Sequence, residues 1–196
     1  MAVDHSSRMT IDGAAVESEA TFDVVNPSAG EVFAAAPDCS DAQLEAAMTS
    51  AATAFAQWKA DDGARRAVLH RAARALEDAS ELIAAIVTSE VGKPLREARG
   101  EVVGAAHWLR YYADLVLEPE IVQDDENARI SVVRRPLGPV AAITPWNFPL
   151  LLSFWKIAPA LAAGNTLVLK PSPYTPLSAL KAGEVLSGII PPGVLN

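Results

Sequence analysis

The chain has 196 residues, of which 51% are apolar and 20% are charged, and its formal net charge is −8. This apolar content excludes intrinsic disorder as the general state, and the length fits one large domain or two small ones. The 24 acidic residues outnumber the 16 basic ones. Because this excess repels a phosphate backbone, we expect no nucleic-acid partner.

Composition and local patterns also argue against metal sites and membrane spans. The single cysteine, Cys39, cannot form an internal disulfide, and the three histidines, His5, His70 and His107, are too scattered to predict a metal site. Residues 1–8 contain no apolar run, so we expect no signal peptide and a cytoplasmic location. Residues 136–155 carry no charge, but they include four prolines. One continuous membrane helix cannot contain them, so we expect no membrane association.

The N-terminal part begins with strand signals. Met9–Ile11 precedes Asp12 and Gly13, a dipeptide typical of tight hairpin turns. Two more short apolar runs, 22–25 and 32–35, are separated by turn-forming residues. The sequence therefore predicts a small antiparallel layer.

Helix signals follow the antiparallel layer. Ser40 and Gln43 have the spacing of a capping box, and an apolar stripe continues behind them through Leu44, Ala47, Ala51, Phe55 and Trp58. A second helical region spans about 64–91, with a restart that Ser80 is expected to cap and a C-terminus at Gly92. The expected buried face of this region includes Leu82.

A third helix is predicted over about 95–117. Its expected buried face is Val102, Val103, Ala106, Leu109, Tyr112 and Leu115. Gly100 and Gly104 are four residues apart, but charged residues flank them. This setting favours close helix packing over a membrane dimer.

Two further patterns complete the chain. Strand-like segments at 121–123 and 129–134 flank a polar turn and predict a projecting β-hairpin. Apolar strands at 140–143 and 166–169 then alternate with helices, and a third strand starts at Val194. Strands that are apolar on both faces and alternate with helices indicate a doubly wound, Rossmann-like α/β parallel sheet.

The loops that follow the two apolar strands carry the polar groups. Ligands bind beyond the carboxyl ends of such strands, and 144–149 and 170–176 lie there. Asn147 can donate to an oxyanion or cap the helix that starts at Pro149. Lys170 can bind phosphate or ribose, or be a solvated loop charge. The chain has no glycine-rich dinucleotide fingerprint.

Several motifs in this region occur together. Gly138–Val140, Pro145–Pro149, Trp155–Asn165 and Lys170–Ser172 strongly resemble the aldehyde dehydrogenase superfamily. Upstream, Asn26–Glu31 and Glu90–Pro94 are also similar to that family. The resemblance covers nearly everything from Phe22 to Asn196 and implies the N-terminal part of the aldehyde dehydrogenase fold.

The resemblance implies thiol-mediated oxidation of an aldehyde to a carboxylic acid. In the family, a cysteine thiolate attacks the aldehyde to give a thiohemiacetal, a nicotinamide cofactor accepts hydride, and a glutamate activates the water that cleaves the thioester. Position by position, it implies that Asn147 holds the oxyanion and that Lys156 lies near the active site. Ile143, Thr144, Pro145 and Trp146 would line the nicotinamide end with Asn147, and Lys170 would bind the adenosine ribose.

The sequence departs from the family pattern in the cofactor loop. Ser172 and Pro173 also belong to the expected cofactor site, but many NAD-using members carry a glutamate where Pro173 stands. A carboxylate there would repel a 2′-phosphate, so its absence leaves both NAD and NADP open.

Chain length is the larger departure. The family's nucleophilic cysteine and catalytic glutamate lie in a part that would follow Asn196, and Cys39 matches no catalytic motif. We therefore expect the isolated chain to be inactive and to aggregate or stay partly molten. The alternatives are a non-catalytic fragment that binds a dinucleotide or a partner chain, and one chain of a split enzyme.

The resemblance also implies an organisation in three parts. Residues 1–119 would supply N-terminal strands and helices of the cofactor domain, and 120–136 an oligomerisation-type β-hairpin. Residues 137–196 would form the first βαβαβ part of the NAD(P)-binding domain, with the catalytic domain absent. The full-length family member would be a homo-oligomer that acts on a small-molecule aldehyde.

Overall fold

A computed structural model describes residues 7–196, so His5 lies outside the described part of the chain. The strands in this range are β1 (Met9–Ile11), β2 (Ala14–Val16), β3 (Ala20–Asn26), β4 (Glu31–Asp38), β5 (Glu120–Asp124), β6 (Arg129–Val132), β7 (Pro139–Ile143) and β8 (Thr166–Lys170). The helices are α1 (Asp41–Trp58), α2 (Asp62–Asp78), α3 (Ser80–Val91), α4 (Leu95–Asp114), α5 (Pro149–Ala162) and α6 (Leu177–Leu186).

Two antiparallel hairpins form the N-terminal layer, as the turn residues predict. β1 pairs with β2 around Asp12 and Gly13, which both adopt positive φ, at 52° and 74°. β3 pairs with β4, with an irregularity between Val24 and Val25. Asp and Gly tolerate the left-handed turn conformation, which explains why this dipeptide marks the hairpin.

The helix caps confirm one prediction and correct another. The Ser40 hydroxyl accepts from the Gln43 N–H at 3.3 Å, and the Gln43 side chain accepts from the Ser40 N–H at 3.0 Å, so the capping box is present. The expectation that Ser80 caps α3 is wrong. Ala79 is the N-cap and supplies no side-chain bond, because α2 and α3 are separated by that residue alone. Gly92 ends α3 with φ of 82°, as predicted.

The predicted apolar stripes are wider than the faces that the helices bury. Leu44, Leu82 and Val103 were assigned to buried faces, but all three are exposed. α4 also ends at Asp114 rather than near Leu117. Because these helices lie at the surface, only part of each stripe contacts the core.

The two apolar strands form the predicted parallel pair. β7 and β8 pair in register from Pro139 opposite Thr166 to Ile143 opposite Lys170. Beyond β8, the chain makes a single parallel bridge between Leu167 and Leu195 where the third strand was expected. β7 was expected to be buried on both faces, but Ile143 is 69% exposed. Within the described residues β7 has one neighbouring strand, so it forms an edge of the sheet.

One core joins the N-terminal helices to this parallel unit. The Trp58 indole donates to the Leu161 carbonyl at 3.1 Å, and the Thr166 hydroxyl donates to the Ala51 carbonyl at 2.8 Å. The largest fully buried side chains come from both regions and include Leu69, Leu76, Leu109, Phe154 and Leu167. This shared core fixes α5 and β8, and with them the loops at the carboxyl ends of the strands.

The hairpin of β5 and β6 is present as predicted, and nearly all its strand residues are exposed. No helix within residues 7–196 is long and apolar enough to cross a membrane.

Candidate active site

The two loops predicted to carry chemistry meet at one edge of the parallel sheet. Ile143 lies opposite Lys170 at the ends of β7 and β8, and the Thr144 N–H donates to the Lys170 carbonyl at 3.2 Å. Further out, the Thr175 hydroxyl donates to the Trp146 carbonyl at 3.2 Å. These bonds connect loops 144–148 and 171–176, so the predicted residues share one surface.

Asn147 lies on this surface, two residues before α5 begins at Pro149. It is exposed, together with its neighbours Pro145 and Trp146. The interpretation of Asn147 as a helix cap is wrong, because Phe148 is the N-cap of α5 and no cap side chain bonds to the helix. The Asn147 amide is therefore not used by the first turn of α5.

The first turn of α5 is held instead by a buried pair from elsewhere in the chain. Glu101, on α4, is 2% exposed, and its Oε2 accepts from the Leu151 N–H at 3.2 Å. Its other oxygen pairs with the ammonium of Lys93, which lies between α3 and α4. That ammonium also donates to the Asn147 carbonyl at 3.0 Å and lies 3.9 Å from the centre of the Phe148 ring.

The first turn of α6 is held in a related way. Glu90, near the end of α3, is 3% exposed and accepts from the Leu177 N–H at 2.7 Å and the Ser178 N–H at 3.1 Å. The Ser178 hydroxyl also donates to it. Burial raises the pKa of Glu90 to about 7, although these three hydrogen bonds oppose the rise.

Two predicted cofactor residues direct their hydroxyls into the protein. Thr144 is 4% exposed, and its Oγ1 lies 3.4 Å from the Ser153 hydroxyl. Ser172 is 7% exposed, and its hydroxyl accepts from the Tyr174 N–H at 3.3 Å. Both side chains shape the loops from inside, whereas Ile143, Trp146 and Asn147 are exposed beside them.

A cavity of about 370 Å³ lies beside the second loop. Lys170 and Pro173 line it, together with Phe22, Leu44 and Leu180. The Lys170 ammonium is exposed and donates to the Pro171 carbonyl at 3.1 Å. The wall is largely apolar and carries one cation, Lys170, and one carboxylate, Asp38, so in a cavity of this size it can contact both the apolar faces and the hydroxyl groups of a ligand such as a nucleoside.

Lys156 is not part of the loop surface. It is exposed on α5, seven residues after Pro149, which places it about 10 Å along the helix axis from the first turn. The structure therefore brings Asn147, Trp146, Ile143 and Lys170 to one edge and leaves Lys156 further along the helix.

Cys39 lies in a setting that disfavours the thiolate. Burial, followed by the charges of Asp38 and Asp41, raises the pKa of its thiol. His70 bonds to Asp114 at 2.9 Å, and His107 contacts the ring of Trp108. Among residues 7–196, no three His, Cys, Asp or Glu side chains are grouped so that they could hold a metal ion.

Sequence reasoning missed the roles of Lys93, Glu101 and Glu90. A signal was present in the helical spacing, because Glu101 falls between Ala98 and Ala105 on the buried face of α4. A glutamate on an apolar stripe is rarely buried without a partner. Nothing in the spacing identifies that partner, since Leu151 lies 50 residues further along the chain.

Two βα units with polar loops at the carboxyl ends of parallel strands define an α/β protein of the type that binds its ligands at this edge of the sheet. Comparison with known proteins narrows this class. The model of the aldehyde dehydrogenase family matches residues 15–196. The chain therefore belongs to the aldehyde dehydrogenase family.

Individual relatives agree with this assignment. The chain is 39% identical to the NADP/NAD-dependent aldehyde dehydrogenase PuuC of Escherichia coli K12, over 97% of this chain and 40% of that protein. It matches an aldehyde dehydrogenase structure from Brucella melitensis biovar abortus 2308 with a TM-score of 0.93 and 36% identity, over 100% of this chain and 43% of that one.

A third relative was solved with a cofactor. The structure of PnpE in complex with nicotinamide adenine dinucleotide matches with a TM-score of 0.90 and 37% identity, over 97% of this chain and 40% of that one. The chain thus spans about 40% of the length of the relatives that it matches.

Proposed function

We propose that these residues are the N-terminal portion of an enzyme that oxidises an aldehyde to a carboxylic acid with NAD or NADP. The observation that carries the proposal is Asn147, which is exposed at the carboxyl edge of a parallel sheet and released from any capping role. Its amide is available to donate to an oxyanion that forms on a bound aldehyde. Family membership and the NAD complex of a relative support the same chemistry.

We assign the cofactor to the surface formed by the two loops. Trp146, Ile143 and Pro145 would contact one end of the dinucleotide, and Lys170 and Pro173 the other. When bound, the nicotinamide ring accepts a hydride from the substrate. Thr144 and Ser172 would act through the loop conformation that their internal hydrogen bonds maintain.

The proposal requires a nucleophile and a general base from outside residues 1–196. Cys39 is poorly suited to supply the first, because burial and two neighbouring carboxylates raise the pKa of its thiol and so disfavour the thiolate. The length of the relatives leaves room for both groups. Lys156 would contribute near the active site only through contacts with those further residues.

The aldehyde path and the assembly surface are further parts of the proposal. We place part of the aldehyde path on α5, where Leu151 is partly exposed, whereas Phe154 is 1% exposed and belongs to the core. The exposed apolar residues of the β5–β6 hairpin, Ile121, Val122, Ile130 and Val132, would form a contact between copies of the chain.

The test is Asn147→Ala in the complete polypeptide that contains residues 1–196. Steady-state assays would use acetaldehyde and benzaldehyde with NAD and with NADP, and would follow formation of the reduced cofactor. Loss of one oxyanion donor should lower kcat by about 10²–10³-fold while cofactor affinity changes only a few-fold. Asn127→Ala is the matched control, because this exposed asparagine uses only its backbone N–H in the hairpin turn.

Four outcomes would contradict parts of the proposal. A kcat unchanged by Asn147→Ala removes the oxyanion role, and parallel losses in kcat and cofactor affinity assign Asn147 to loop shape. A wild type that binds the dinucleotide without turnover is a non-catalytic binder. Turnover that appears only with a second polypeptide identifies a split enzyme.

A further inference from the structure

We propose that Lys93 is a positioning residue for Asn147, and that Glu101 in turn holds Lys93 in place. This inference rests on the proposed function, because it concerns the same oxyanion donor. It assigns a role to an ion pair that comes from outside the two loops and contacts the first loop at the Asn147 carbonyl and the Phe148 ring.

The contacts of the Lys93 ammonium carry the first step. It donates to the Asn147 carbonyl at 3.0 Å, lies over the Phe148 ring at 3.9 Å and pairs with Glu101. These partners surround the peptide that joins Asn147 to α5. With the carbonyl of Asn147 held and its amide unbonded, the backbone is fixed while the side chain stays free for a ligand.

Glu101 carries the second step, because it touches both Lys93 and the helix. One oxygen binds the ammonium, and the other accepts from the Leu151 N–H at 3.2 Å. The side chains of Glu101 and Lys93 are 2% and 13% exposed, so water competes little with these bonds. Glu101 and Lys93 thereby fix loop 144–148 against α4 and α5, two helices that pack in the core.

The chemistry explains why a cation is needed at this place. An oxyanion donor must be held within a fraction of an ångström, and a misplacement of about 1 Å can cost about 100-fold in rate. A loop between a strand and a helix has no ladder of its own to supply that accuracy. A charged donor on the Asn147 carbonyl supplies a strong, directed bond at the residue that must not move.

The experiment compares four variants in the complete polypeptide. Lys93→Met removes the donor, and Lys93→Arg restores a cation of similar reach. Lys93→Met combined with Glu101→Gln removes both charges yet keeps an acceptor for the Leu151 N–H, so it avoids an unpaired buried carboxylate. Lys181→Met is the matched control, because that side chain is also 13% exposed and pairs with Glu184 on α6.

Two readouts separate positioning from general stability. The first is kcat with acetaldehyde, which should fall by about 100-fold in Lys93→Met and in the double variant while both KM values stay within about threefold. Lys93→Arg should recover much of the loss. The second is fluorine NMR of protein labelled with fluorotryptophan, with the Trp146 resonance assigned by Trp146→Phe. That resonance should shift or broaden in both Met variants and stay unchanged in Lys181→Met.

Opposite results overturn the inference. If the double variant keeps kcat within about twofold of wild type, Lys93 does not position the donor. The same conclusion follows if the Trp146 resonance is unmoved. An inactive wild type overturns the proposed function instead, and the Trp146 resonance alone then decides whether Lys93 holds the loop.

Discussion

The first turns of α5 and α6 both lack a local side-chain cap, and the two turns differ in how a distant glutamate binds them. Each helix follows a strand of the parallel sheet, and in neither does the N-cap side chain bond to the helix. Each first turn is bound by a buried glutamate from another helix, Glu101 for α5 and Glu90 for α6. Glu101 has a lysine partner, whereas Glu90 is held by two backbone N–H groups and one hydroxyl. The cation is present where the loop carries Asn147.

Remote capping has a consequence for the loop residues themselves. A helix N-terminus attracts a carboxylate, and a local Asn or Ser normally supplies the acceptor. Because Glu101 takes the Leu151 N–H, Asn147 keeps its side chain for another partner. The comparison therefore links a buried acid in α4 to the availability of the proposed catalytic group.

The largest difference between the two caps should appear on removal of the acids. Glu101→Ala leaves the buried Lys93 ammonium without its counter-ion and should cost about 3–5 kcal/mol of stability. Glu90→Ala leaves no unpaired charge, only helix donors without an acceptor, and should cost about 2–4 kcal/mol. Hydrogen exchange of the complete protein, read by mass spectrometry over the starts of α5 and α6, measures both effects.

Each substitution should raise exchange first in the helix that its glutamate caps. Glu97→Ala is the control on α4, since that side chain is 57% exposed and should change stability by less than about 0.5 kcal/mol. Equal exchange changes at both helices in both variants would show that the glutamates stabilise the core as a whole rather than the individual first turns.

The pH dependence of stability should distinguish Glu90 from Glu101. Its pKa of about 7 lies above the ordinary value of 4.5, so the folded state keeps a proton that the unfolded state releases. The resulting stability is complete below about pH 4.5 and is lost as the pH rises through about 7, with a total of about 3 kcal/mol. Thermal melting of the complete protein at pH values across this window should show a falling Tm.

Glu90→Gln is the control for this titration, because it keeps an acceptor but cannot ionise. The advantage of wild type over Glu90→Gln should shrink from about pH 5 to about pH 8. A difference in Tm that is constant across this range would mean that Glu90 has the same protonation state throughout.

The sequence predicts the framework of the site but not its support. The strands at 140–143 and 166–169 are visible as apolar runs, and the position of Asn147 and Lys170 at their ends follows from parallel topology. Glu90 and Glu101 could not be assigned in this way. Their partners lie 87 and 50 residues away, and spacing within one helix contains no information about such contacts.

The sequence pattern also failed to predict which side chains are exposed at the edge of the sheet. An unbroken apolar strand such as β7 predicts burial on both faces, yet Ile143 is 69% exposed. Burial depends on which strands and helices lie alongside, and that is a property of the whole assembly of elements. The wrong prediction of burial therefore concerns Ile143, a residue assigned to the cofactor site, whose exposed apolar side chain is free to contact a ligand.

The smallest expected change in stability concerns the packing of α4, the helix on which Glu101 lies, against α5. A Cβ on Gly104 would lie 2.9 Å from Cδ1 of Leu151, whereas a Cβ on Gly100 meets nothing within 4 Å. Gly100→Ala should therefore stabilise the protein by about 0.5–1 kcal/mol through helix propensity alone. Gly104→Ala gains the same term but must displace Leu151, whose N–H binds Glu101, so its net effect should be near zero or destabilising.

Chemical denaturation of the two variants in the complete protein measures this difference. Both changes add the same methyl group to the same helix one turn apart, so unfolded-state effects largely cancel. A Gly104→Ala variant as stable as Gly100→Ala would mean that Leu151 yields freely and that α5 is not fixed against α4 at this point. The bond from Glu101 to α5 would then have to hold the start of the helix without support from close packing.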